Sequence, residues 1–553
     1  MRPLLLLAAL SGLLLNSCFS AGDGQEPPLQ SLYFPTGLTL DTVSTDSDGA
    51  AKYLYVASSD FDLQYRSSAL ASYDLARVRQ VVPRSCTAEI GCALGEHCDT
   101  EPSEANGNVP SYFCLASAGD PPCGVFGDRS SADRLLNPGR CTAVDPVHPK
   151  DDPASPLLHD TVGIGAFATD LIFRANLVGT GSRFPARLFL PVRGDATLHW
   201  IDLADGKFNC GQGSNSDHSC DGLHRSGDVS SDNNDQLRQQ SEPFAVDATL
   251  DGTSVAVTNQ TTGTVSLYVT PPESWSDGPK LASVLGGLPQ APVAIAAIPK
   301  PDKGLYPDGQ SSVPGFLVAY RNAAQVDLLR ARTDPKTGVG AASYTRYALL
   351  LAGSVPITTN SIGFDSRGIV IDDEERLADY ANCATGDRDC LLKARQPKVY
   401  VANRTPASLL VGSMIADYGY TAGTSELPAF IDSVPLTAGA SRVVLGHVKV
   451  PSSAAGALSD DGGAYAIERR VFVVCFDSRR VFVYDPKRRT IEAVISTGRG
   501  PYALAIDDAR GLGYVAHFTD SYLGVISLDQ RFPQTYATIV ASIGTPSPPR
   551  SSK

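Results

Sequence analysis

The sequence predicts an all-β fold, a β-propeller of about seven blades that carries a disulfide-rich loop insertion. Gly and Pro are abundant, 50 and 39 of 553 residues, while Met and Trp number two each. That balance suits many turns and short strands better than long helices. A hydrophobic strand ending in a small or polar turn occurs seven times, each followed after a short gap by a second alternating strand. Upstream of most pairs lies a third strand opened by Pro or Gly. Units of this kind repeated around a ring bury their faces against one another and leave only short edges.

The first strands of the pairs are Tyr53-Leu-Tyr-Val-Ala57, Arg187-Leu-Phe-Leu-Pro191, Ser254-Val-Ala-Val-Thr258, Gly315-Phe-Leu-Val-Ala319, Lys398-Val-Tyr-Val-Ala402, Arg470-Val-Phe-Val-Val474 and Leu512-Gly-Tyr-Val-Ala516. Their partners begin at Ala69, Thr197, Thr264, Gln325, Ser408, Arg480 and Leu523. Opening strands are visible from Pro35, Pro243, Pro292 and Pro501, and the sixth unit lacks a Gly-Pro opening. A fourth strand is expected over Thr490–Ser496 and over Thr535–Ala541. The ring closes either by packing alone or by Ser31–Phe34 completing the last sheet.

Two stretches carry a family resemblance. Ser496-Thr-Gly-Arg-Gly-Pro-Tyr-Ala-Leu-Ala-Ile-Asp-Asp508, continuing through Gly513 to Asp529, resembles the YVTN (YncE-like) β-propeller repeat, as do Val399-Tyr-Val-Ala-Asn403 and Tyr53-Leu-Tyr-Val-Ala57. The resemblance implies a seven-bladed, often extracytoplasmic propeller. Its relatives include lactonase-like enzymes and binding propellers, so it speaks for fold more than for chemistry.

The N-terminus reads as an address. Met1-Arg2 precedes the apolar run Leu4 to Leu15, too short for a permanent membrane span and right for a signal-peptide core. It ends in Leu15-Asn16-Ser17-Cys18, which resembles the bacterial lipobox, so Cys18 is expected to be acylated and to become the new N-terminus. Phe19 after it favours the outer membrane. The organisation is therefore a signal peptide over 1–17, a lipidated tether over 18–30, a propeller over 31–545 with a Cys-rich insert at 84–160, and a tail over 546–553.

Ten of the other cysteines fall in polar loops, as an exported protein's disulfides do. Cys86, Cys92, Cys98, Cys114, Cys123 and Cys141 form the insert's cluster, with fifteen possible connectivities, and Cys210/Cys220 and Cys383/Cys390 form local pairs. Zinc is the competing reading, but the spacing of Cys86, Cys92 and Cys98 lacks the short knuckle of structural zinc sites. Cys475 lies inside an apolar run and reads as a buried free thiol.

The net charge of −13 argues against nucleic acid as a partner. No nucleophile elbow, His-Glu-x-x-His helix, phosphate loop or dinucleotide fingerprint occurs, and no cofactor is predicted. His199, His218, His224 and His517 read as packed or solvated side chains. Asp372-Asp373 and Asp507-Asp508 follow apolar strands in equivalent places and read as turn residues at one rim of a channel, with calcium or acid-base chemistry as the alternative. Asp217 to Asp235 is rich in Asp, Asn and Ser but lacks a regular calcium loop. The resulting expectation is a membrane-anchored extracytoplasmic module that binds or scaffolds an envelope protein, a glycan or a small ligand. The alternative is a propeller-type metal-dependent hydrolase or lactonase. Binding is expected at the long insertions 84–160 and 206–241.

Overall fold

A computed structural model describes residues 25–98, 100–101, 112–115, 143–149, 155–177, 184–211, 218–228, 237–270, 277–305, 313–337, 343–357, 364–415, 427–454, 456–460 and 462–546. Seven antiparallel sheets follow one another around a central channel. The seven strand pairs read from sequence form the two middle strands of the seven blades. These middle strands are almost wholly buried because each blade is sandwiched between two others.

Alternation along the middle strands divides the side chains between two interfaces. Leu54 and Val56 pack with Ala503, Tyr514 and Val525 of the last blade. Tyr55 and Ala57 pack with Leu188, Leu190 and Ile201 of the second. The same division places Phe472 and Val474 against the seventh blade and Val473 and Cys475 against the fifth. Both faces of a middle strand are therefore interface, each buried aliphatic or aromatic side chain contributing about 1.5–3 kcal/mol.

Inner strands run at Pro35–Leu40, Ile172–Ala175, Pro243–Ala248, Pro292–Ala297, Phe364–Asp372, Ala440–Pro451 and Pro501–Asp507. Those at Ile172, Phe364 and Ala440 begin without Pro, which hides them from a motif reading. All seven are nevertheless entered by one residue in the left-handed region: Phe34, Phe167, Glu242, Ala291, Asp365, Gly439 and Gly500, with φ between 44° and 90°. In six blades a β-bulge follows immediately. The backbone turn is the conserved element of the architecture, and glycine is only its least strained occupant.

Two expectations are corrected. The outer strand of the last blade is Ile539–Ile543, because residues 530–538 form turns and bends. Closure does not use Ser31–Phe34 as a strand. Instead Ala143–Val144, returning from the Cys-rich insert, pairs in parallel with Ile539–Ile543, and Gly544 N donates to Val144 O at 2.9 Å. The insert thus covers the outer edge of the last sheet, an edge that would otherwise be open to pairing.

The upper mouth of the channel is the side on which each outer strand crosses to the next inner strand. The lower mouth carries the start of the Cys-rich insert after the helix Leu75–Val81, and the helices Glu374–Ala381 and Arg388–Lys393. No helix among the described residues is long and apolar enough to cross a membrane.

Candidate functional site

The third residue after each left-handed turn faces the channel, a space of about 220 Å³. Five of these positions hold Gly37, Ala245, Ala294, Gly368 and Ala503; the other two hold Asp170 and Arg442. The small residues are required by close approach. A Cβ on Gly37 would fall 2.4 Å from Leu171 Cβ, and one on Gly368 would fall 2.8 Å from Val443 N. Through the space they leave, Arg442 of the sixth blade reaches Asp170 at the start of the second, Nη1 to Oδ1 2.7 Å. Asp170 also accepts from Leu171 N at 3.0 Å and Val246 N at 3.3 Å. The Arg442 guanidinium lies 5.2 Å from the Tyr502 ring centroid. Burial works to lower the Arg442 pKa, but Asp170 and Tyr502 outweigh it and raise it. The other carboxylate of the channel wall, Asp247, is likewise bound by Arg174.

The upper mouth is ringed by aromatics on the side of blades 6, 7, 1 and 2. Phe518 stands 5.2 Å from both Phe34 and Phe61, 5.8 Å from Tyr502 and 6.3 Å from Phe476, and Phe167 continues the chain 6.1 Å from Phe61. Phe34 and Phe167 are two of the left-handed residues, so backbone strain of order 1 kcal/mol each holds their rings at this rim.

Beneath Phe61 lies Asp60, fully buried. Its Oδ1 accepts from Tyr65 N at 3.1 Å, and its Oδ2 has no hydrogen-bond partner among the described residues. Burial raises its pKa from 3.8 to about 6. A carboxyl whose folded pKa is raised destabilises the fold as pH climbs from the unfolded pKa through about 6. Asp60→Asn is therefore expected to raise the unfolding midpoint at pH 8 and to leave it unchanged near pH 4. Thermal scans at both values check this, and a midpoint lowered at pH 8 would contradict it.

At the lower mouth the acidic pairs close the inner strands of blades 5 and 7, as turn residues would, but each side chain holds a basic partner. Asp372 binds Arg469 at 2.9 Å, Asp373 binds Arg376 at 2.5 Å, Asp507 binds Arg79 at 2.7 Å and Asp508 binds His447 Nδ1 at 2.7 Å. His447 Nε2 meets Glu374 at 2.8 Å. Beside this mouth the insert and blades 6 and 7 enclose a cleft of about 560 Å³. Its walls carry Arg79, Arg84, Lys449, Arg510 and Arg531 against Asp46, Asp460 and Asp529. Burial works to raise the Asp460 pKa, but Arg531 and Lys449 hold it well below the ordinary carboxylate range.

The histidines read as packed side chains are engaged locally. His199 contacts Asp195 at 2.9 Å, and His224 contacts Asp221 at 2.8 Å and lies over Trp200. The His218 carbonyl accepts from Gly163 N at 2.6 Å, docking its loop on the first blade. His517 stacks on Tyr522 at 4.0 Å, and burial lowers its pKa to about 3. Disulfides join Cys86 to Cys98, Cys92 to Cys114, Cys210 to Cys220 and Cys383 to Cys390. The one sulfur trio at metal-ligand distance among the described residues, Cys86, Cys92 and Cys114, is consumed by those bonds. Cys475 is a buried free thiol whose pKa burial pushes up to about 12. Cys18, Cys123, Cys141, Asp217 and residues 229–235 lie outside the described residues. Sequence reasoning missed Arg442, Asp170 and the aromatic rim; the signal that could have found Arg442 and Asp170 is their register, three residues after each inner-strand turn.

No protein-family model matches the chain, so the YVTN resemblance has no counterpart there, and no curated protein matches it. Solved structures do. A Lactobacillus plantarum protein is 12% identical with a TM-score of 0.39, over 87% of this chain and 89% of that one. A candidate 6-phosphogluconolactonase from Bacteroides fragilis is 10% identical with a TM-score of 0.38, over 85% and 86%. Its counterpart from Bacteroides uniformis is 11% identical with a TM-score of 0.39, over 84% and 86%. The chain is a seven-bladed β-propeller by its own sheet topology.

Proposed function

We propose that the protein is an extracytoplasmic propeller, lipid-tethered through Cys18 to the outer membrane, that binds an envelope protein or ligand at its lower side and is not an enzyme. The observation that carries this reading is the cleft of about 560 Å³ built jointly by the Cys-rich insert and blades 6 and 7. Two disulfides stiffen the insert, so its wall is preorganised and little ordering entropy is lost on binding. Loops on a rigid scaffold are where binding surfaces form. The hydrolase alternative needs carboxylates free to hold a metal in the channel, whereas Asp170 and Asp247 are each bound by an arginine.

The test pairs a photo-crosslinking residue at Ile90, in the cleft wall, with a control at Leu377 in the producing cell. A discrete adduct at Ile90 that weakens on Arg84→Glu, with none at Leu377, is the expected result. Metal analysis of the purified mature domain is the second arm. Stoichiometric calcium or zinc together with lactone hydrolysis would overturn the reading in favour of the hydrolase.

A further inference from the structure

We infer that the upper face of the propeller docks on the bilayer surface, with Phe61 and Leu63 entering the headgroup region; this rests on the reading of Cys18 as the lipid-bearing residue. The point at which the described chain begins carries the argument. Gln25 is bridged to Tyr65 in the upper loop of the first blade, and its carbonyl accepts from Arg66 N at 3.1 Å. Cys18 lies seven positions before Gln25. At about 3.3–3.6 Å per residue this stretch reaches no farther than about 25 Å, even fully extended. A lipid at Cys18 therefore keeps this loop, and the face it belongs to, close to the headgroups, with the lower cleft directed away.

The side chains at that point suit such a neighbour. Phe61 is 54% exposed and Leu63 is 64% exposed, and both precede Tyr65 in the same loop. Leu63 sits in the left-handed region with φ 55°, a conformation that costs a branched side chain energy and gains it no packing here. Asp60 N donates to Ser68 Oγ at 3.1 Å and Leu63 N to Asp60 O at 3.3 Å, so the loop is braced at its base. Behind Phe61 stand Phe34, Phe167 and Phe518, and Tyr33 and Tyr65 pair at 5.2 Å. Tyr, with one apolar and one wet end, is a residue of membrane interfaces, and Phe supplies apolar area for shallow insertion. Four arginines on this side are held in pairs, Arg66 with Glu26, Arg193 with Glu242, Arg404 with Asp477 and Arg499 with Asp520, while the exposed carboxylate of Asp62, between Phe61 and Leu63, accepts from Gln64. A single acyl chain gives only marginal binding, and shallow insertion of apolar side chains adds to whatever the anchor supplies.

The experiment uses the full-length, cell-processed chain in vesicles of phosphatidylethanolamine and phosphatidylglycerol carrying brominated acyl chains. Phe61→Trp is compared with Leu377→Trp, a 55% exposed position on the lower-side helix. A ring buried about 5–10 Å into the interface lies within reach of the bromines, so quenching at position 61 is expected to be roughly twofold or more that at 377. Flotation with the vesicles but equal quenching at the two positions overturns the docking and leaves the anchor reading standing. Failure of the parent chain to float, with no acyl group on Cys18, overturns the anchor reading and the docking with it.

Discussion

Arg187→Met is expected to lower the unfolding free energy by about 3–5 kcal/mol, because it leaves a carboxylate buried without its partner. Arg187 and Asp202 are cross-strand neighbours in the second blade, Nε to Oδ1 2.7 Å, with side-chain exposures of 0% and 5%. The guanidinium lies 4.2 Å from the Trp200 ring centroid. Burial lowers the pKa of Arg187, and it raises that of Asp202 in spite of the arginine's attraction, so desolvation outweighs mutual attraction on both sides. A pair in that condition contributes little net stability while intact and is costly to break. The double variant Arg187→Met with Asp202→Leu is accordingly expected to recover most of the loss. Urea unfolding of the three variants measures both quantities. A double variant as unstable as the sum of the singles would show that the pair is itself the stabilising element, contrary to the pKa directions.

Arg187 also shows where sequence reasoning stops. Its strand was legible because Leu188, Phe189 and Leu190 lie in a β run bounded by a turn, and the middle strands of the other blades are legible for the same reason. The inner strands were legible only where Pro marks them. Ile172–Ala175 and Ala440–Pro451 obey the same backbone rule through Phe167 and Gly439, but a left-handed φ at a phenylalanine leaves no mark in composition or alternation. The candidate site was still less legible. Asp170 and Arg442 are 272 residues apart and meet only because the ring closes. The acidic pairs were placed correctly at strand ends, and Asp373 meets Arg376 three residues on, but Arg469, Arg79 and His447 come from distant elements, so those ion pairs could not be read locally. Local cysteine pairs were readable because short separations of 10 and 7 residues leave little choice, whereas the insert's connectivity needed the fold.

Arg442→Ala is expected to cost about 2–4 kcal/mol, less than the Arg187 variant because the arginine is partly solvated. The two halves of this bridge are unequal. Asp170 is 8% exposed and Arg442 is 24% exposed, so removing the arginine strands the better-buried charge. Asp170→Asn leaves a guanidinium that retains contact with water and with the Tyr502 ring, and it keeps an oxygen to accept from Leu171 N. The expected order of destabilisation is Arg442→Ala, then Asp170→Asn, then the double variant Asp170→Ala with Arg442→Ala, in which no buried charge is left alone. Urea unfolding of each gives the order, and the double-mutant cycle gives the coupling. Because the other five positions of the ring are Gly or Ala, the double variant also leaves a ring without charge or bulk. If the bridge holds blades 2 and 6 in place, amide exchange in the inner strands Ile172–Ala175 and Ala440–Pro451 rises in all three variants while that in Pro292–Ala297 stays slow. Exchange that rises uniformly around the ring would mean that the pair contributes only global stability, and that seven well-packed blade interfaces set the width of the channel without it.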